Sequence, residues 1–493
     1  NKKIMQRTYS PMLKVFGTRR VYTRGFAAVP ARYDMLTPFE FDSSKSLKLA
    51  KKEAEERVTT LNSGIRVVSQ ETCTYMSAIG AIVEAGSAYE VSQCGSRGAA
   101  VMSEGLAWSG SLKRDQRQML HEADLLGGYL HCNTQREQIL YCIDLLRENI
   151  APGMELLAES VLMPDVAQFD NVKEAIAFSR STRSQDQIVR DLILTAAYGP
   201  NSPLGASLIN PHVTVSDFLR YRGTLYSPDR IVICGTGVEH DQLVQYTENF
   251  FEPFLPPQAN LTKEYQVQYT PDAVLLHGEM PDVPGKAIDK EDKVRIALAL
   301  ELPCGWHNLN TIAILSLVQT LLGGGDSFSA GGPGKGMYSR LYTDVLNYNS
   351  WIDAAEAFVH VHNTSSLLGI SAMSNPNHAT ALIDRVCTAL QQIARTQVTA
   401  QELQRAKNML KCNVLSQLES RLILFEDLAR QYATFGHRQP VTDMLQAIDA
   451  VSAADVQNLV ANLMLKPPAF AAHGPDLSHL PSLSAIASNL SLS

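Results

Sequence analysis

A chain of 493 residues, 45% hydrophobic and 19% charged, has enough apolar material for two or more packed domains and the composition of an ordinary globular protein. Its formal net charge of −7 argues against general nucleic-acid binding and suits a basic ligand or partner. The eight cysteines are scattered with no CxxC pair, which argues against a zinc ribbon or a disulfide framework and for buried, reduced thiols.

Residues 1–33 carry Lys2, Lys3, Arg7, Lys14, Arg19, Arg20, Arg24 and Arg32, and the first acid is Asp34. Basic residues interleaved with hydroxyl and apolar ones, without acids, have the composition of a mitochondrial targeting segment; the alternative is a basic tail. Arg24-Gly25-Phe26-Ala27 resembles a matrix-processing site, with arginine two residues before the aromatic.

From about residue 55 strand and helix patterns alternate. RVVSQET (66–72) and YMSAIGAIVEAGS (75–87) read as strands, and SLKRDQRQMLHEADLLGG (111–128) as a helix stopped at Gly127-Gly128. YLHCNT (129–134) and QILYCIDLL (138–146) form a strand pair, followed by a helix over 148–164 that halts near Pro164. The same order returns later. KVRIALALELP (293–303) is a strand, NTIAILSLVQTLL (310–322) a helix, AAEAFVHVHNT (354–364) and SSLLGISAM (365–373) a strand pair, and 375–393 a helix. Segments 213–243 and 450–480 also match: helix, proline, strand, glycine, then an acid-bearing turn.

A repeat this long is a domain duplication rather than a solenoid. The expected fold is α+β, with two similar domains, each a mainly antiparallel sheet covered on one face by helices. The expected boundaries are an extension over 1–33, an N-terminal domain over 34–254, a proline-rich linker over 255–290 and a C-terminal domain over 291–493. The longest charge-free candidate for a membrane span, 304–325, is broken by His307, Asn308, Asn310 and Gln319, so it reads as a buried helix and not as a membrane span.

Between two helix patterns lies GGGDSFSAGGPGKGMYSR (323–340), in which seven of the fourteen residues from 323 to 336 are glycine. It fails the Walker pattern, because Ser329 stands at the first glycine and Gly336 at the hydroxyl residue, and it follows a helix instead of a strand. The G-x-G-x-x-G pattern fails at Met337. Gly323, Gly324, Gly325, Gly331, Gly332, Gly334 and Gly336 free the backbone to meet an extended peptide, with Phe328 and Met337 for apolar contact and Lys335 for charge. The alternative is a flexible linker.

The run GGGDSFSAGGPGKGMYSRLY resembles the glycine-rich loop of the α subunits of mitochondrial processing peptidases, within the pitrilysin-type metallopeptidase superfamily. Asp326 is an addition to that pattern. LNSGIRVVSQE, AIVEAGSAYE, QMLHEADLLGG, the YSPDR stretch and VHVHNTSSLLGISA agree in order between residues 60 and 480. The resemblance implies duplicated α+β domains that enclose a chamber with a catalytic β subunit, and a loop that takes part in binding presequence peptides. Acidic side chains in that chamber are expected to meet presequence arginines. Related subunits also serve as matrix-side core proteins of respiratory complex III, beside cytochrome b and cytochrome c1. A membrane would then be reached only through partners; a purely structural core protein is the alternative.

The superfamily's catalytic pattern is H-x-x-E-H, two histidines on one helical face binding zinc and a glutamate acting as general base. The matching stretch here is GAAVMSEGLAW (98–108). Val101 and Gly105 stand where the histidines belong, and only Glu104 remains, at the general-base position. Downstream, Glu174 is available as a further ligand but has no metal to complete. Neither H-x-x-E-H nor H-E-x-x-H occurs anywhere in the chain. His360-x-His362 lies on a strand pattern with both rings on one face, where a surface or packing role is expected over metal binding. The chain is therefore expected to bind substrate and hold no metal, with zinc in the partner.

Overall fold

The computed structural model describes residues 56–72, 74–95, 97–210, 212–255, 263–278, 293–326 and 337–491. The extension over 1–33 lies outside these residues, as do Phe328, Gly331, Gly332, Gly334, Lys335 and Gly336.

Two six-stranded sheets repeat one topology. The first contains β1 (Glu56–Thr60), β2 (Arg66–Gln70), β3 (Met76–Val83), β4 (Tyr129–Thr134), β5 (Ile139–Leu146) and β6 (Ile231–Thr236), in the order β1-β2-β6-β3-β5-β4. The second contains β7 (Ala273–His277), β8 (Val294–Leu302), β9 (Gly324–Asp326), β10 (Ile352–Val361), β11 (Ser366–Ser374) and β12 (Ala469–Gly474), in the order β7-β12-β8-β11-β10-β9. Within each sheet one pair is parallel, β2 with β6 and β7 with β12, and the rest are antiparallel. Thus β2-β6-β3-β5-β4 corresponds strand for strand to β7-β12-β8-β11-β10, which is the duplication seen in the sequence.

The stretch read as a linker carries β7, whose backbone pairs in parallel with β12 from Ala273 to His277. Its side chains are exposed or half-buried. It is therefore held mainly by main-chain bonds, and its hydrophobic pattern gives little sign of a strand.

Helices cover both faces of each sheet, not one, and the second cover comes from the other half. Along β3, Ile79, Ala81 and Val83 face the first half's own core, whereas Ala78 and Ile82 face helix Arg421–Phe435 of the second half. That helix lays Phe425, Leu428, Ala429, Tyr432 and Ala433 on Val68, Leu140, Val232 and Cys234. Conversely, helix Gln185–Tyr198 of the first half lies across β12 and β8. There Ile296, Leu298 and Leu300 face the second core, while Ala297 and Ala299 join the first. A strand covered on both faces is apolar at successive positions, which explains the runs Ala78–Val83 of β3 and Ile296–Leu300 of β8. Each large side chain so buried contributes about 1.5–3 kcal/mol.

Ion pairs fasten both exchanged helices. Arg421 donates to both oxygens of Asp144 at 2.9 and 2.6 Å. On the opposite side Arg190 reaches Glu356 at 2.7 Å and Arg295 reaches Asp186 at 3.0 Å.

Candidate functional site

The helix Ala99–Leu106 carries the stretch that the resemblance sets against the catalytic pattern. Glu104 is half-buried, and its Oε2 accepts a hydrogen bond from the Thr134 backbone N–H at 2.7 Å; Thr134 Oγ1 donates to the Ala100 carbonyl at 3.1 Å. Thr134 ends the edge strand β4, so Glu104 ties its helix to that edge.

Val101 and Gly105 lie one turn apart on the same helical face, at the spacing the two histidines would need. A Cβ placed on Gly105 collides with Val172 and reaches Ile176, both on helix Phe169–Ser181. Apolar side chains thus fill the space beside the second ligand position. Glu174, on the same helix, is exposed and does not line the adjoining cavity. Among the described residues no group of three or more His, Cys, Asp or Glu side chains is arranged to hold a metal ion. The residues present do not fit a zinc ion. The apolar pair Val172 and Ile176, four residues apart, sits in the very stretch where the missing ligand is sought in the sequence.

A cavity of about 1070 Å³ opens between the two halves. Val101, Glu104 and Gly105 line it, together with the β4–β5 turn, helix Gln185–Tyr198, Trp306 and residues 359–362 of β10 and its turn. His360 and His362, expected at the surface or in packing, are on this wall. Burial pushes their imidazoles down to about 4 and about 3, helped at His360 by the Arg190 and Arg136 guanidiniums and at His362 by His360 and Arg136. Both rings are neutral at neutral pH.

The described lining contains four carboxylates, Glu104, Glu137, Asp191 and Asp427, and four guanidiniums, Arg136, Arg183, Arg190 and Arg430. This cavity therefore has no acid surplus of the kind expected for a chamber that meets arginines. Most of the charges are already engaged. Arg136 donates to Asp191 at 2.5 Å, and Arg438 to Asp427 at 3.2 Å. Glu137 accepts from the Tyr265 hydroxyl and from Asn363 N–H at 2.8 Å, bridging the halves, and burial raises its carboxyl above the usual range.

The glycine run begins as a strand. Gly324, Gly325 and Asp326 pair as β9 with Glu356, Ala355 and Ala354 of β10. Gly323 and Gly324 have φ of +56° and +104°, and a Cβ on Gly324 would strike the backbone of Ala355 and Glu356. Glycine is required there on both counts. Gly324 N–H donates to Ser339 Oγ at 3.1 Å, and the Tyr342 hydroxyl to the Asp326 carbonyl at 3.1 Å, so the two ends of the run are tied together. Met337 is exposed. None of Gly323, Gly324, Gly325, Asp326 or Met337 is among the residues lining the cavity, so the structure does not bring the described part of the run to Glu104.

Residues 66–212 match the family described as insulinase (peptidase family M16), and residues 212–410 match the peptidase M16 inactive domain. The chain is 32% identical over 449 residues to the mitochondrial-processing peptidase subunit alpha of Solanum tuberosum, covering 88% of this chain and 85% of that protein. It is 30% identical over 443 residues to the subunit of the same name from Bos taurus, with coverages of 87% and 83%. The Homo sapiens subunit is 30% identical over 453 residues, with coverages of 89% and 85%.

Proposed function

The chain belongs to the mitochondrial-processing peptidase α-subunit family of the M16 peptidases, and from that premise we propose that it is a non-catalytic subunit that binds presequence peptides for cleavage by a zinc-bearing β subunit. The observation that carries the reading is the packing of Val172 and Ile176 against Gly105, with Val101 one turn away. A chain with apolar side chains in place of a ligand set needs a partner to supply the metal. The net charge of −7 suits a basic peptide. The glycine run is the candidate contact, because β9 anchors its start on β10 and the sequence continues through Gly331, Gly332, Gly334 and Gly336, residues without side chains, with Phe328, Lys335 and Met337 among them in the chain.

This reading puts the protein on the matrix side of the mitochondrial inner membrane, also as a core subunit of respiratory complex III beside cytochrome b and cytochrome c1. Among the described residues no helix is long and apolar enough to cross a membrane, so attachment would run through those partners.

Deleting residues 327–336 while keeping β9 tests the binding role. Presequence affinity should fall at least tenfold with the heterodimer intact; unchanged affinity would sink the idea. Failure to co-migrate with cytochrome b in mild detergent would remove the complex III role alone.

A further inference from the structure

Three successive residues at the end of the glycine run are each held by a different partner. The Tyr338 carbonyl accepts from Arg405 Nη2 at 2.8 Å. Ser339 is buried, and its Oγ accepts from Gly324 N–H at 3.1 Å, at the start of the run. Arg340 donates from Nε and Nη2 to the two oxygens of Glu402 at 2.7 and 3.1 Å. Glu402 and Arg405 both stand on helix Ala400–Leu418. The next residue, Leu341, is fully buried in the second core. The exit of the run therefore reaches that core under three separate ties, two of them to one helix.

The Arg340–Glu402 pair is the most exacting of these ties. Its side chains are 14% and 16% exposed, and a forked guanidinium–carboxylate pair fixes orientation as well as distance. The Arg340 guanidinium holds the Glu402 carboxyl below the usual carboxylate range, so the pair stays charged at neutral pH. Helix Ala400–Leu418 does not need the pair in order to start, because Thr399 Oγ1 caps it by accepting from Glu402 N–H at 3.2 Å. An acid is favoured in a first turn for its own sake, but that preference calls for no partner at a set angle. Just before the ties, Met337 and Tyr338 expose their side chains. Side chains presented from a tied backbone are ordered in advance, and a peptide that meets them is spared the cost of ordering them.

Resting on the reading that the glycine run meets a presequence, we propose that Arg340 and Glu402 are positioning residues for that binding: their ion pair holds the exit of the run, with Met337 and Tyr338, in the geometry a basic peptide recognises. Neither residue has to touch the peptide. Re-ordering one backbone residue on binding costs about tenfold in affinity, so the loss of one tie should weaken binding by roughly that factor. The test uses the full-length chain assembled with a zinc-bearing β subunit, and the fluorescence anisotropy of a labelled peptide of alanine, leucine, serine and arginine. Arg340→Gln should bind this peptide about tenfold more weakly. Glu402→Gln should do the same, and it keeps the side-chain volume and the helix cap should the first variant fold poorly. Arg340→Lys keeps the charge without the fork and should fall between. Lys411→Gln breaks a different ion pair of the same helix, the one to Asp449 at 2.7 Å, and should leave affinity unchanged. Because the pair acts through the run, Arg340→Gln should add little once residues 327–336 are deleted. Unchanged affinity in both glutamine variants, an equal loss in Lys411→Gln, or a full further loss on top of the deletion would overturn the proposal. A deletion that leaves affinity unchanged would remove the reading of the run and the pair's role with it. A deletion that weakens binding while both glutamine variants bind normally would remove the pair's role alone.

Discussion

Replacing Phe425 with alanine tests the reciprocal clasp of the two halves. The ring is 1% exposed and belongs to the second half, yet every strand residue it clusters with is in the first sheet. Its loss leaves a cavity between the halves and should cost about 3–5 kcal/mol. The folded unit spans residues 54–493, about 440 residues. At ~2.1 cal/mol/K per residue its unfolding entropy is on the order of 0.9 kcal/mol/K, so a single cooperative transition should shift down by about 3–5 °C. Because the lost contact joins the halves, scanning calorimetry should also show the transition broadening or splitting. A shift below about 1 °C with one sharp transition would refute the idea that this helix holds the first sheet.

Two further outcomes follow from the packing around the helix Ala99–Leu106. The double change Val101→His and Gly105→His should not yield stoichiometric zinc by metal analysis, because Val172 occupies the space; the overpacking should cost about 1–3 kcal/mol in a denaturant titration. Adding Val172→Ala should recover much of that cost, whereas stoichiometric zinc in the double variant would contradict the packing argument. Glu90 is buried at the start of this helix, where its carboxylate accepts from Ala100 N–H, and burial pushes it up to about 7. A carboxyl raised in the folded state contributes stability that is full below about pH 4.5 and lost as pH rises through about 7. Glu90→Gln should remove that decline, worth on the order of 3 kcal/mol between pH 4.5 and 8, when unfolding is measured across this range. Parallel pH profiles for the two proteins would refute the assignment.

The sheets and their duplication were legible because β3, β5, β8 and β11 carry long apolar runs and the helices between them keep regular spacing. The pattern could not reveal β7 and β9. These short edge strands are held by backbone pairing, and the glycines of β9 have no side chain with which to show a period. Nor does local sequence tell which sheet a helix will cover, so the exchange of Gln185–Tyr198 and Arg421–Phe435 emerges only in three dimensions. At the site, the absence of both histidines of the resembled pattern was plain at Val101 and Gly105. The filling of their place by Val172 was not, because 65 residues or more separate it from them in the chain. His360 and His362 showed one shared face in the sequence. That the face lines a cavity against Arg136 and Arg190 depends on how the halves close.

One reconstitution tests directly whether this chain binds substrate while a β subunit cuts it. The purified chain and a zinc-bearing β subunit of a mitochondrial processing peptidase are assayed separately and mixed, with a presequence-bearing substrate. Cleavage should require the mixture, with neither component active alone. Cleavage by this chain alone, or no gain when it is added to the β subunit, would contradict the account.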